Sequence, residues 1–131
     1  MRWRTMHLVL GALGLLLFVL TGQYMQHVAN VPELADTARL QYRSLHLYLL
    51  GACAANVFVG FYMSPAAVLG KLRGLASVAL ILSQLMLAVS FFTEAPAGAM
   101  DRPIASFGLY FLFGAAAILV VAEVWNRFRA G

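Results

Sequence analysis

The sequence predicts an all-α fold, an integral membrane bundle of four antiparallel transmembrane helices. Composition is the first observation, because 63% of the 131 residues are hydrophobic and only 11% are charged, which is typical of a chain whose solvent is lipid. Spacing is the second. Four apolar runs each approach the 20 or so residues that a helix needs to cross a bilayer, and short polar or proline-containing segments separate them. We therefore predict one domain, 1–131, with spans at 7–25, 44–63, 72–92 and 104–126.

The first span, 7–25, follows a segment that carries two arginines. A basic segment before an apolar run also describes a secretory signal, but the small-residue cleavage pattern is missing near Leu20, so we expect an uncleaved helix. Gly11 and Gly14 leave one side of this helix without bulk. Small residues allow helix backbones to approach closely in a membrane, which predicts a neighbouring helix on that side.

The second span, 44–63, has a polar lead-in that contains Pro32 and two acidic residues. Proline with acids in the first turn is the usual start of a helix. We therefore expect this helix to begin before the membrane, and we expect Asp36 to pair with Arg39 or with groups that flank Leu40.

Inside this second span, Ala52, Asn56 and Gly60 recur at every fourth position and so share one face of a helix. Small residues favour close packing, and an amide in hydrocarbon needs a partner from another helix. Gln84, near the middle of the third span, is the expected partner of Asn56. The sequence thus predicts that this face points inward and that the amide sets the register of the helices.

The ends of the later spans carry further structural signals. Ser64 and Pro65 predict the end of the second helix and a cap for the third. Asp101 is the predicted N-cap of the fourth helix, while Glu123 and Arg127, four residues apart, are expected to pair near its end. One face of the fourth span consists of Gly108, Leu112, Ala115, Leu119 and Ala122.

The distribution of charge predicts the orientation of the bundle. Of the nine Lys and Arg residues, Arg39, Arg43 and Arg102 fall on one side of the predicted bundle and the other six on the opposite side, with both termini. The positive-inside rule then places both termini in the cytoplasm. The basic residues stand in pairs at the ends of apolar runs and form no patch, so no nucleic-acid partner is expected. Cys53, the single cysteine, is expected to be a buried structural thiol.

Two short motifs carry a resemblance to known proteins. TGQYM, over 21–25, ends the first span, and YRSLHLYLL, over 42–50, opens the second, with Asn56 deeper in it. These motifs resemble a group of small four-span bacterial membrane proteins, and the rest of the chain is similar mainly in hydropathy. The resemblance implies a bacterial origin and four spans, and it implies no particular activity.

Two histidines, His27 and His46, form the candidate cofactor site. Both are expected at the same end of sequential, antiparallel helices, which is how a four-helix bundle presents two axial imidazoles to a b-type haem. Arg39 and Arg43 would then meet the haem propionates. The alternative interpretation is structural, with His46 hydrogen-bonded at the interface and the two arginines on lipid phosphate.

Metal and catalytic chemistry have little support in the sequence. Met25 and Met100, together with the same histidines, suit copper in ligand softness, but no tight spacing of histidines, cysteines or methionines accompanies them, and no metal is predicted. No Ser-His-Asp set, no paired carboxylates at fixed spacing and no Gly-rich phosphate loop are present. The chain is therefore not expected to be an enzyme.

Asn56 and Gln84 admit a second interpretation, in which they line a polar path for a small solute. Proton-driven transport normally uses a titrating carboxylate within the span, whereas Glu94 and Glu123 are expected at the interfaces. Hydrogen bonding between helices is therefore the favoured interpretation of the two amides.

Several residues are expected at the membrane interfaces: His7, Tyr42, Glu123 and Arg127. We expect His7 to contact Glu123 across the bundle in a small structural cluster.

The leading functional hypothesis is non-catalytic. It describes a small polytopic protein of the bacterial inner membrane that acts through helix packing, as a homo-oligomer or as an accessory subunit of a membrane complex. Its partners would be the lipid bilayer and other membrane helices, with no cofactor. The alternatives are a haem b electron carrier with His27 and His46 as axial ligands, and a small solute carrier or channel that uses Asn56 and Gln84.

Overall fold

The computed structural model describes residues 3–64, 70–97 and 101–130 and consists of helices joined by short turns. Each of the four long helices is long and apolar enough to cross a membrane. The predicted four-helix fold is confirmed, and the chain is a multi-pass membrane protein. The helices are α1 (Trp3–His27), α2 (Asp36–Tyr62), α3 (Gly70–Thr93) and α4 (Pro103–Ala130), with a 3₁₀ turn at Val31–Glu33.

Every helix begins before its predicted span. The predicted early start of α2 is confirmed, because it begins at Asp36, whose carboxylate pairs with Arg39. Hydrophobicity marks only the part of a helix that lies in hydrocarbon, whereas backbone hydrogen bonding continues until the chain turns. After α1 that turn is made at Asn30, whose φ of 50° lies in the left-handed region, a conformation that asparagine tolerates. The predicted cap at Pro65 lies outside the described residues.

The helices pack as two antiparallel hairpins. Contacts are most extensive between α1 and α2 and between α3 and α4, and packing of α2 against α3 joins the two hairpins. Smaller contacts link α1 with α3 and α2 with α4, whereas α1 and α4 do not touch within the described ranges. The central helices are therefore α2 and α3, and α1 and α4 lie at opposite corners of the bundle.

The core lies between the two central helices. Its largest fully buried side chains are Leu45, Leu49, Leu80, Leu87 and Phe91. The outer surface is also apolar, since Leu47, Leu75 and Tyr110 are each more than 60% exposed, at 62%, 70% and 72%. A surface of this kind is favourable where the surroundings are lipid. The face of α4 identified from the sequence is buried; it consists of Gly108, Leu112, Ala115, Leu119 and Ala122.

The predicted close contact on the glycine side of α1 is confirmed, and the neighbouring helix there is α2. A Cβ atom added at Gly11 would lie 2.8 Å from the backbone nitrogen of Val57, and one added at Gly14 would lie 2.5 Å from Sγ of Cys53. Real Cβ atoms essentially never approach other atoms that closely. These two contacts therefore fix the height of α1 relative to α2.

The start of α4 is capped by Glu94, the first residue after α3, and the predicted N-cap at Asp101 is wrong. The buried carboxylate of Glu94 accepts hydrogen bonds from the backbone N–H groups of Ile104, at 2.7 Å, and Ala105, at 3.0 Å. It also accepts one from the hydroxyl of Ser90, at 2.6 Å. A negative group at a helix N-terminus satisfies otherwise unpaired N–H groups and favours the helix dipole. Asp101 is exposed and lies outside α4.

Replacement of Gly11 with alanine tests the close approach of α1 and α2. We expect Gly11→Ala to lower the free energy of unfolding in detergent by about 1–3 kcal/mol, because the new methyl group meets backbone that cannot move aside. Gly51→Ala is the matched control, since Gly51 is an exposed helical glycine with nothing within 4 Å of an added Cβ. Equal stability of the two variants would contradict the proposed contact.

Candidate functional site

A chain of polar side chains crosses the interior of the bundle and joins three helices. Asn56 of α2 donates from Nδ2 to Oε1 of Gln84 on α3, at 2.9 Å. Gln84 in turn donates from Nε2 to the backbone oxygen of Leu10 on α1, at 2.8 Å. On its other side, Asn56 Oδ1 lies 2.6 Å from Nδ1 of His7, also on α1. The predicted pairing of Asn56 with Gln84 is confirmed.

The direction of these hydrogen bonds determines the tautomer of His7. The amide nitrogen of Asn56 is already a donor, to Gln84 and to the backbone oxygen of Ala52 at 3.0 Å. Its oxygen is therefore the acceptor toward His7, so Nδ1 of the imidazole carries the hydrogen. In the neutral ring this leaves the lone pair on Nε2.

This chain is closed to the surroundings of the protein. His7 and Asn56 are 0% exposed and Gln84 is 7% exposed. Both polar atoms of each amide have protein partners. Among the described residues, the chain therefore ties helices together and does not present free amide groups to a solute.

Two atoms beside this chain are buried without a hydrogen-bond partner among the described residues: Nε2 of His7 and Oγ of Ser77. Ser77 lies seven residues before Gln84 and so on the same face of α3, toward α1 and α2. The end of α1 is close by, since an added Cβ at Gly74 would lie 3.9 Å from the Trp3 ring. Both unpartnered atoms thus belong to the same end of the three-helix interface, where one acceptor and one donor are available.

The expected contact between His7 and Glu123 is wrong. His7 points to Asn56, and α1 does not touch α4 within the described ranges. Glu123 instead accepts hydrogen bonds from the backbone N–H of Ser64, at 3.2 Å, and from Nε of Arg127, at 3.4 Å. The predicted pairing of Glu123 with Arg127 is confirmed.

Arg73 of α3 joins this second polar cluster, which sequence reasoning missed. Its guanidinium donates to the backbone oxygen of Ser64, at 2.9 Å, and lies 4.0 Å from the carboxylate of Glu123. Arg73 side-chain exposure is only 8% and that of Glu123 is 20%. The cluster links the ends of α2, α3 and α4 on the side where Arg4 also contacts α2, through Gly60 and Phe61.

The structure does not place His27 and His46 at the same height. Nδ1 of His46 lies 3.1 Å from Oγ1 of Thr21, and its ring stacks on Phe18 with centroids 4.0 Å apart. His27 is the exposed last residue of α1, six residues after Thr21 and thus roughly 9 Å further along the helix axis. This separation gives no support to joint axial ligation of one haem iron.

The arginines assigned to the haem hypothesis face the loop end of the bundle. Arg39 pairs with Asp36 and donates to the backbone oxygen of Pro32, at 3.3 Å, and Arg43 is exposed. Tyr42, expected at the interface, is buried, and its ring lies at 75° to that of Phe91 with the centroids 5.7 Å apart.

Metal-ligand geometry is likewise lacking in the part of the chain that the structure describes, where no group of three or more His, Cys, Asp or Glu side chains could hold an ion. Met100, one of the residues weighed for copper, lies outside the described residues. Cys53 is a buried free thiol, as expected.

Comparison with known proteins assigns no family to the chain. No protein-family model matches it, and no match was found among curated proteins or among solved structures. The resemblance to small four-span bacterial membrane proteins therefore stays a prediction.

The part played by His7 was readable from a pattern in the sequence. His7, Gly14 and Thr21 recur at intervals of seven residues, and all three are buried. A stripe of this period marks one packed face of a helix. His7 therefore belonged with the glycines that face α2, and not with the interfacial residues.

Replacement of Asn56 tests whether the polar chain ties the helices together. We expect Asn56→Leu to lower the free energy of unfolding in detergent by about 1–3 kcal/mol, because it leaves buried groups on His7 and Gln84 without partners. The matched control is Ser83→Ala, because the fully buried Ser83 hydroxyl, within the described residues, bonds only to Leu80 of its own helix. A loss no larger in Asn56→Leu than in the control would show that the chain does not link the helices.

Proposed function

We propose that this chain is a non-catalytic protein of the bacterial inner membrane that acts by packing against further copies of itself. The closed interior supports a role of this kind. The two intramembrane amides are occupied by protein partners, and the two histidines of the haem hypothesis lie at different heights. The outer surface of the helices then remains as the part of the protein that meets other molecules.

Gly114 is the observation that carries this proposal. It lies near the middle of α4, it is exposed, and an added Cβ would meet nothing within 4 Å. A glycine inside a helix is unfavourable relative to alanine, and no contact within the described residues explains this one. Gly51 of α2 is exposed in the same way, but Ala54, one turn after it, is only partly exposed. Ala117, one turn further on, is also exposed, so a strip of bare backbone lies between Tyr110 and Val121.

Exposed small residues of this kind are typical of close crossings between membrane helices. A symmetric pair of α4 helices would bury the strip in both copies, since a two-fold interface uses the same patch twice. The large exposed side chains of Tyr110 and Phe113, at 72% and 69% exposure, would then pack beside the crossing.

The proposed orientation has both ends of the chain in the cytoplasm. Arg4, Arg73 and Arg127 contact groups at one end of the bundle, and Arg39 and Arg102 contact groups at the other, Pro32 and Ser44. The richer end is the one that holds the start of α1 and the end of α4. The positive-inside rule supports its placement on the cytoplasmic side.

Disulfide cross-linking tests the proposed α4 contact. We expect Gly114→Cys to form covalent dimers on mild oxidation in native membranes, with Cys53 silent because it is buried. Leu16→Cys is the matched control, on the 57% exposed outer side of α1, and should stay monomeric. Equal cross-linking of both variants, or none in either, would contradict the proposed contact.

Co-purification in mild detergent tests the alternative role as an accessory subunit. If a different protein co-purifies in stoichiometric amount with the unmodified chain and is lost from Gly114→Ile, the strip binds that partner and not a second copy.

Thiol labelling tests the orientation. In spheroplasts we expect a membrane-impermeant maleimide to label Arg43→Cys, whereas Arg129→Cys should react only after the membrane is permeabilised. Both positions are exposed arginines, so the two variants differ mainly in the side of the membrane. The reverse pattern would overturn the cytoplasmic placement of the termini.

A further inference from the structure

A groove of about 300 Å³ opens between α2 and α4, the two helices that touch only slightly. Its walls include Ala55, Phe58 and Tyr62 of α2 and Ala116 of α4, and its polar end is formed by Arg73 and Glu123. Small side chains at Ala55 and Ala116 leave the inner end open, while the Phe58 and Tyr62 rings stack at 6.2 Å along one wall.

The groove runs parallel to the helices. On α2 it extends from Ala55 to Met63 and on α4 from Ala116 to Glu123, which is roughly 10–12 Å along the helix axis. Its apolar end therefore points toward the middle of the bilayer, and its charged end lies where these helices reach the headgroups. A phospholipid has the same order, with its acyl chain inward and its phosphate at the surface.

The charged end has an excess of positive charge. Arg73 and Arg127 stand against one carboxylate, that of Glu123. Arg127 contacts Glu123 through Nε, at 3.4 Å, and its side chain is 70% exposed. Arg127 does not itself line the groove, but it contacts the lining residue Glu123, so its exposed guanidinium lies beside the charged end. Arginine binds phosphate through paired hydrogen bonds.

We infer that this groove binds an anionic phospholipid, with one acyl chain between α2 and α4 and the phosphate on Arg127. The volume of about 300 Å³ accommodates part of one acyl chain, whereas a helix segment about 10 Å across and 10 Å long would need roughly 800 Å³. The site is also separate from the proposed α4 contact, because Ala116 follows Gly114 by two residues and so points to roughly the opposite side of the helix.

Native mass spectrometry tests this site. The protein is delipidated, and phosphatidylglycerol or phosphatidylcholine of the same chain length is then added. We expect the unmodified protein to bind phosphatidylglycerol more tightly than phosphatidylcholine. We expect Arg127→Gln to weaken the binding of phosphatidylglycerol about tenfold, as for loss of a charged hydrogen bond. Arg129→Gln is the matched control, an exposed arginine of the same helix that lies over Trp125, at 5.1 Å. It should bind as the unmodified protein does.

Ala116→Phe tests the acyl part of the site, since its ring would fill the inner end of the groove. We expect it to weaken binding of both lipids, and a photoactivatable acyl chain on phosphatidylglycerol should label α2 and α4 in the unmodified protein. Equal effects of Arg127→Gln and Arg129→Gln would overturn the headgroup assignment. Lipid binding unchanged by Ala116→Phe, or photolabelling confined to α1 and α3, would overturn the groove as the site, even if Gly114→Cys still forms dimers.

Discussion

A polar group in hydrocarbon must find its hydrogen-bond partner inside the protein, and this constraint determines how the helices are arranged. Asn56 meets it with partners on three helices: His7 on α1, Ala52 on its own helix α2, and Gln84 on α3. Since these partners satisfy one another only in one relative placement, the chain sets the height and rotation of α1, α2 and α3 together. Each such bond contributes only about 0.6–2 kcal/mol in a membrane, so its main effect is on geometry and not on total stability.

Close packing makes that geometry possible. Gly11 and Gly14 bring α1 within reach of α2, and without that approach the imidazole of His7 would not reach Asn56. Because the polar groups of the interior are occupied, contacts with other molecules involve outer features of the bundle. Two such features are the exposed strip at Gly114 and the groove beside Glu123. Both features lie on α4, the helix that contributes no residue to the central polar chain.

Local patterns in the sequence were sufficient for much of this fold. Apolar length predicted the four helices, and the spacing of Ala52, Asn56 and Gly60 predicted the inward face of α2. The partner of an amide was also predictable, because Gln84 was the strongly polar residue near the middle of the third span. Each of these predictions depends on the residue pattern of one helix, or on two residues being at the same depth in the membrane.

Relations between distant parts of the chain were not predictable in this way. The cap of α4 comes from Glu94, across a turn, and not from Asp101, which is nearer in sequence. Apolar length alone predicts equal depth for His27 and His46, because both lie near the ends of predicted spans. Their true heights depend on which residues of α1 and α2 face each other, and that pairing is fixed by the glycines, with Gly14 opposite Cys53 and Thr21 opposite His46.

The nitrogen NMR spectrum of His7 tests the central polar chain most directly. With the protein in lipid bilayers at about pH 8, where an ordinary imidazole is neutral, the structure requires the hydrogen on Nδ1 and a bare Nε2. We expect the two ring nitrogens to show that tautomer, and the Nδ1 signal to change in Asn56→Leu. A ring protonated at Nε2, or one whose spectrum is unchanged in that variant, would contradict the account.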